Sequence, residues 1–228
     1  MKFIDSPKKQ LAWYSRNYFY IATVAVVVTN IALYACLGNS WTSAFGNGSV
    51  RWERSFDFQR IWRCFLNNFS HGTWQHALLN MLCFFIAGLY LERKTGSLGL
   101  SGLVLSLAVL QGCVCAAAKG DLGFYGFSGV NYALYAYIAI DYLFSFTKLR
   151  RNKTDLIFGG IVLALIYLAM CFSGGTATVS FKPYPYDLLH NLGHGTGFFC
   201  GAIVALLVQL PMAAARRSAK ESALAGRS

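Results

Sequence analysis

Six stretches of about 20 residues, almost free of charged side chains, run through this chain of 228 residues at 18–37, 74–91, 98–118, 127–147, 155–173 and 189–212. A helix of that length rises about 30 Å, the thickness of bilayer hydrocarbon. Inside lipid every peptide group must find its hydrogen bond within the protein, and for runs this long and continuous the helix is the solution. The chain is therefore expected to be all-α: a polytopic membrane bundle of six transmembrane helices over 18–212, with a segment 1–17 before it and a basic tail 213–228 after it. The first run is expected to stay as a span, because its apolar core is too long for a cleaved leader and no clean small-residue cleavage pattern follows.

Only 13% of the residues are charged, against about 25% in an average soluble domain, and 56% are hydrophobic. The net charge of +11 could suit nucleic acid or anionic lipid. Its distribution argues for lipid, because Lys and Arg border the apolar runs and no basic helix with interleaved aromatics is present. Lys2, Lys8, Lys9 and Arg16 precede span one, and Arg93 and Lys94 follow span two. Lys148, Arg150, Arg151 and Lys153 separate spans four and five, and Arg216, Arg217, Lys220 and Arg227 follow span six. Those fourteen of twenty basic residues fall on one side of a six-span path, so both termini are expected in the cytoplasm. No nucleic-acid partner is expected; the bilayer is. A bacterial inner membrane fits the compact six-span form.

The seven cysteines are scattered, odd in number and mostly inside apolar runs, so they read as small core hydrophobes and not as a disulfide framework. The connection 38–70 is too long for a simple turn. It mixes Trp41, Trp52 and Trp62 with Arg51, Glu53, Arg54, Arg60 and Arg63, which suits the headgroup layer on the outer side. The breaker-rich stretches 120–126 and 174–186 form the other outer connections. The tail after Pro211 reads as a frayed basic end.

Chemistry concentrates at one level. All four histidines lie near the outer ends of two spans: His71 and His76 at the start of span two, His190 and His194 at the start of span six. Ionisable residues inside a membrane are costly, which marks them as candidates for function. His76 and Asn80 share a helix face, as do His190 and His194. Span six also carries Gly193, Gly197 and Gly201 at four-residue spacing, a stripe that admits a neighbouring backbone.

That neighbour is expected to be span four, which opens with Gly126, Phe127, Ser128 and Gly129. Glycines flanking the serine allow a tight turn into the helix, leaving the hydroxyl exposed and first-turn N–H groups free for an oxyanion. A histidine from another span would serve as general base. His194 lies about 8 Å into span six, so Ser128 meets it only if the connection 117–126 dips into the protein before span four begins. No acidic third member is in reach: Asp141 is about 20 Å along its helix from Ser128, and Asp187 about 10 Å from His194. The expectation is a dyad.

These residues resemble the rhomboid family of intramembrane serine proteases over most of 50–205. Trp62 and Arg63 resemble its first-loop pair. His71, His76 and Asn80 resemble its HxxxxHxxxN, and Leu91 to Gly96 its acidic and basic turn ending in glycine. Gly126 to Gly129 resemble its GxSG, and His194, Gly197 and Gly201 its sixth-span histidine and glycines. Gly193 stands where alanine is commoner, and His190 has no counterpart in the pattern.

The resemblance implies Ser128 as nucleophile and His194 as its base. It implies oxyanion and substrate-binding roles for His76, Asn80, Gly126 and Gly129, with His71 shaping the first loop and Gly197 and Gly201 supporting the seam. Cleavage of transmembrane segments in single-span membrane protein substrates would follow, with no cofactor and no metal. The loop around Pro183 and Pro185 is on the side where a lid would act. Two alternatives remain: a zinc-dependent membrane hydrolase using the histidine cluster, since His190 and His194 have ligand spacing, and a non-cleaving rhomboid-like protein that binds clients. The oligomeric state is left open.

Overall fold

The computed structural model describes residues 20–45, 58–119, 126–146, 153–173, 180–181 and 192–225. Six helices carry nearly all of them: α1 (Ile21–Phe45), α2 (Phe58–Leu66), α3 (Trp74–Lys119), α4 (Ser128–Phe146), α5 (Lys153–Met170) and α6 (Leu192–Ala225). The one β pairing among the described residues is a two-residue antiparallel ladder, Phe172 and Ser173 against Phe181 and Ser180. The fold is an all-α polytopic membrane bundle, as the apolar runs require.

Three of these helices are long and apolar enough to cross a bilayer by length and composition alone, with windows Ile21–Gly38, Trp74–Cys115 and Leu192–Ala215. The second window is two spans in one. Residue Gly96, at φ 84° and ψ 164°, breaks α3 into limbs 74–95 and 97–119, a conformation that a side chain would make costly. The turn expected over 91–96 is thus helical up to its last residue. The reason lies in the charges, which are used inside the protein instead of solvating a loop.

Fully buried Glu92 accepts hydrogen bonds from the N–H groups of Ala22 and Thr23 (2.9 and 2.8 Å) and from the hydroxyls of Thr23 (2.5 Å) and Ser97 (2.6 Å). A carboxylate at the N-terminus of α1 satisfies free donors and complements the helix dipole. Lys94 reaches Asp141 of α4 at 2.6 Å, and Gln209 of α6 donates to the other Asp141 oxygen at 2.9 Å. Tyr90 accepts from Lys94 (2.5 Å) and donates to Asp141 (3.3 Å). Spans two, four and six are tied at this end. Removing one partner of a buried ion pair strands the other, so Lys94→Ala is expected to destabilise the protein by about 3 kcal/mol, read as a lowered unfolding midpoint in detergent.

Helix α4, expected over 127–147, is a polar span, with Asn131, Asp141 and Tyr132, Tyr135, Tyr137 and Tyr142 in its length. It tolerates them because other helices surround it: Gly129 to Leu134, Ala136 to Ile138 and Asp141 are buried. Its broadest packing is against α6. Helix α6 runs past Pro211 to Ala225, so the tail expected to fray is helical, consistent with the alanine-rich stretch after the proline. Helix α2 lies within the long first connection. Its Cys64 is buried against Gly112 of α3, while Trp62 is 52% exposed, the two-faced pattern of an interfacial helix.

Candidate active site

Ser128 is the first residue of α4, reached through a turn in which Gly126 has φ +107°. Gly126 and Phe127 are buried, so the chain enters α4 from within the protein. Two bonds fix the turn. The Gly126 N–H donates to the Asn67 carbonyl at 3.3 Å, and the Phe127 N–H donates to His71 Nε2 at 3.4 Å. The Asn131 N–H bonds the Phe127 carbonyl at 3.0 Å, which leaves the N–H groups of Ser128, Gly129 and Val130 ahead of the first α4 bond.

His71 can accept from Phe127 only while Nε2 is unprotonated. Its burial, helped by the neighbouring His76, holds the imidazole down at about 3, against a smaller opposing effect of the Phe69 carbonyl. The His71 ring stands edge-on to that of His76, with centroids 5.2 Å apart.

His194, in the first turn of α6, brings Nε2 to 2.9 Å from Ser128 Oγ. The Tyr132 ring stacks on the imidazole at 4.2 Å and 11° and holds its plane. Tyr132 lies one helical turn beyond Ser128, on the same face. The approach of the two helices depends on glycine. A Cβ on Gly197 would collide with the Gly129 carbonyl, and a Cβ on Gly201 with the Ala133 carbonyl.

His76 and Asn80 face the same turn from α3. A Cβ on Gly126 would lie 2.6 Å from His76 Cε1, 2.9 Å from its Nε2 and 3.3 Å from Asn80 Nδ2. Asn131 donates to the Asn80 backbone carbonyl at 2.9 Å and touches its Oδ1 at 3.5 Å, which orients the amide with Nδ2 toward Gly126. That Nδ2 is buried and has no acceptor among the described residues. A buried donor without an acceptor is costly, and the arrangement suits one that awaits a transient negative charge.

A family model described as Rhomboid domain matches residues 59–211. The chain belongs to the rhomboid family. Among curated relatives, Rhomboid protease GlpG of Haemophilus influenzae is 32% identical over 143 residues, covering 63% of this chain and 67% of that protein. The proteins of the same name from Salmonella newport and Salmonella dublin are 32% identical over 132 residues, 54% of this chain and 48% of theirs. The chain spans about half the length of those two. Membership makes this protein an intramembrane serine protease of rhomboid type.

In this rhomboid the expected residues come together as follows. Ser128, His194, His76, Asn80, Gly126 and Gly129 form one cluster, His71 backs its turn, and Gly197 and Gly201 line the α4–α6 seam. Asp141 is engaged with Lys94 far along α4. His190, Asp187, Pro183 and Pro185 lie outside the described residues. Sequence reasoning did not single out Tyr132, Asn131 or Gln111. The four-residue step from Ser128 to Tyr132 was the available signal for the first.

Proposed function

We propose that Ser128 and His194 are the catalytic dyad with which this rhomboid cuts transmembrane segments of membrane protein substrates, single-span proteins among them. The 2.9 Å contact between His194 Nε2 and Ser128 Oγ carries the reading. His194 takes the hydroxyl proton as Ser128 Oγ attacks the scissile carbonyl carbon, forming a tetrahedral oxyanion. The Ser128 N–H, Asn80 Nδ2 and His76 stabilise that charge. His194 then returns the proton to the leaving amine, the C–N bond breaks, and an acyl-Ser128 ester remains. Water, activated by the same imidazole, hydrolyses the ester.

A helical substrate has its carbonyls tied in i to i−4 bonds, so the cut stretch must unwind, which favours helix-weakening residues such as glycine. The charge distribution supports both termini in the cytoplasm and a site opening to the outer side, and the compact six-span form fits a bacterial inner membrane. With Nε2 of His194 on Ser128, the dyad accounts for the histidine better than zinc ligation does.

Removing one oxyanion donor costs about 10² to 10³ in kcat in serine proteases. Asn80→Ala is therefore expected to lower kcat about 100-fold on a reconstituted single-span substrate, with little change in KM and no sensitivity of the wild type to a chelator. Unchanged kcat would remove Asn80 from the oxyanion site. Loss of wild-type activity to chelation, restored by zinc, would favour the metal hydrolase.

A further inference from the structure

Gln111 lies in the 97–119 limb of α3, fully buried in a membrane-spanning segment. A leucine would fill such a position without the cost of desolvating an amide, so a buried glutamine calls for a use. Its surroundings supply one. Nε2 donates to the Gly193 carbonyl, the residue immediately before His194, over a long 3.4 Å. The same amide lies across Gly129, the residue immediately after Ser128. A Cβ there would be 2.6 Å from Gln111 Nε2, 2.7 Å from Cδ and 3.0 Å from Oε1. One side chain from a third span thus touches the backbone on both sides of the nucleophile–base pair.

We infer that Gln111 is a positioning residue for the reaction: its amide brackets Gly129 of α4 and Gly193 of α6 and thereby sets the separation of Ser128 Oγ and His194 Nε2. The inference rests on the dyad reading of those two residues. The glycine at 129 gains a reason beyond the turn, since any side chain there would displace the bracket. The Gly193 carbonyl belongs to the first turn of α6, where a bond from Gln111 fixes how that helix end is presented to α4. A proton transfer between Oγ and Nε2 is sensitive to small changes in their separation, so the bracket acts on kcat. Substrate binding does not involve it.

Two variants separate positioning from space-filling. Gln111→Met keeps the length and volume but has no donor, whereas Gln111→Glu keeps the shape and donates to Gly193 only while protonated. The account expects Gln111→Met to lower kcat about tenfold at every pH with KM unchanged, the scale of one lost hydrogen bond. Gln111→Glu is expected to approach wild-type kcat at low pH and to fall away from it as pH rises, because the ionised carboxylate repels the Gly193 carbonyl. Both are assayed in liposomes between pH 5 and 9 beside wild type and Ser128→Ala, with unfolding midpoints confirming folded protein. Wild-type kcat in Gln111→Met would overturn the inference, as would a Gln111→Glu as impaired as Gln111→Met at the acid end. An active Ser128→Ala would instead overturn the dyad itself.

Discussion

Gly201→Val is expected to reduce cleavage of a reconstituted membrane substrate by at least about 100-fold, although Gly201 touches no reacting atom. The argument is steric. The Cβ of any residue at 201 would lie inside the Ala133 carbonyl of α4, and a branched side chain adds two further carbons. Neither helix backbone can give locally, because each is a continuous hydrogen-bonded rod, so α6 must move away from α4 as a body. His194 stands two turns along the same face of α6, and its 2.9 Å contact with Ser128 is lost with a displacement of about 1 Å. Overpacking of this kind also costs about 3 kcal/mol, so the unfolding midpoint in detergent should fall. Gly197→Ala, which meets the Gly129 carbonyl, should act in the same direction. Near-wild-type cleavage by Gly201→Val would mean that α4 and α6 are not packed this closely in the bilayer.

Ser128→Ala and His194→Ala are each expected to lower cleavage at least about 1,000-fold, and the double variant no further, because residues that act as one unit lose the whole function together. Ser128→Ala removes the attacking oxygen. His194→Ala leaves a hydroxyl without the imidazole that takes its proton and removes the stacking of that ring on Tyr132. Neither change strands a buried charge, so the unfolding midpoints should stay near wild type. Initial rates on a fluorescent single-span substrate in liposomes check this. Independent, multiplicative losses would indicate that the two residues serve separate steps.

Much of the fold was legible because lipid imposes a length on every span: the sequence runs match α4 and α5 to within a few residues, whereas α1 begins near its run but continues to Phe45. The site was legible because histidine, asparagine and serine are rare guests in apolar runs and fell at one level. Rotation about the helix axis was harder to read. Lipid-facing and protein-facing surfaces are both apolar here, so Leu105 and Leu107, one exposed and one buried, look alike in sequence. The same blindness hid the central position of α4, whose tyrosines and Asp141 are tolerated because other helices cover them. Gln111 is the one amide side chain in its span and Asn131 the one in α4, and a single polar amide ordinarily does no more than bridge two helices. Lys94 read as one of the charges that border span two, because its proximity to Asp141, 47 residues on, has no local signature.

The central claim, that Ser128 is made nucleophilic by His194, is tested most directly by covalent labelling. Detergent-solubilised or liposomal protein is treated with a fluorophosphonate, and the adduct is mapped by peptide mass spectrometry in wild type and His194→Ala. The account predicts a single adduct on Ser128 in the wild type and labelling slowed at least about 100-fold without the histidine. An adduct on another residue, or a Ser128 adduct that forms equally fast in His194→Ala, would contradict it.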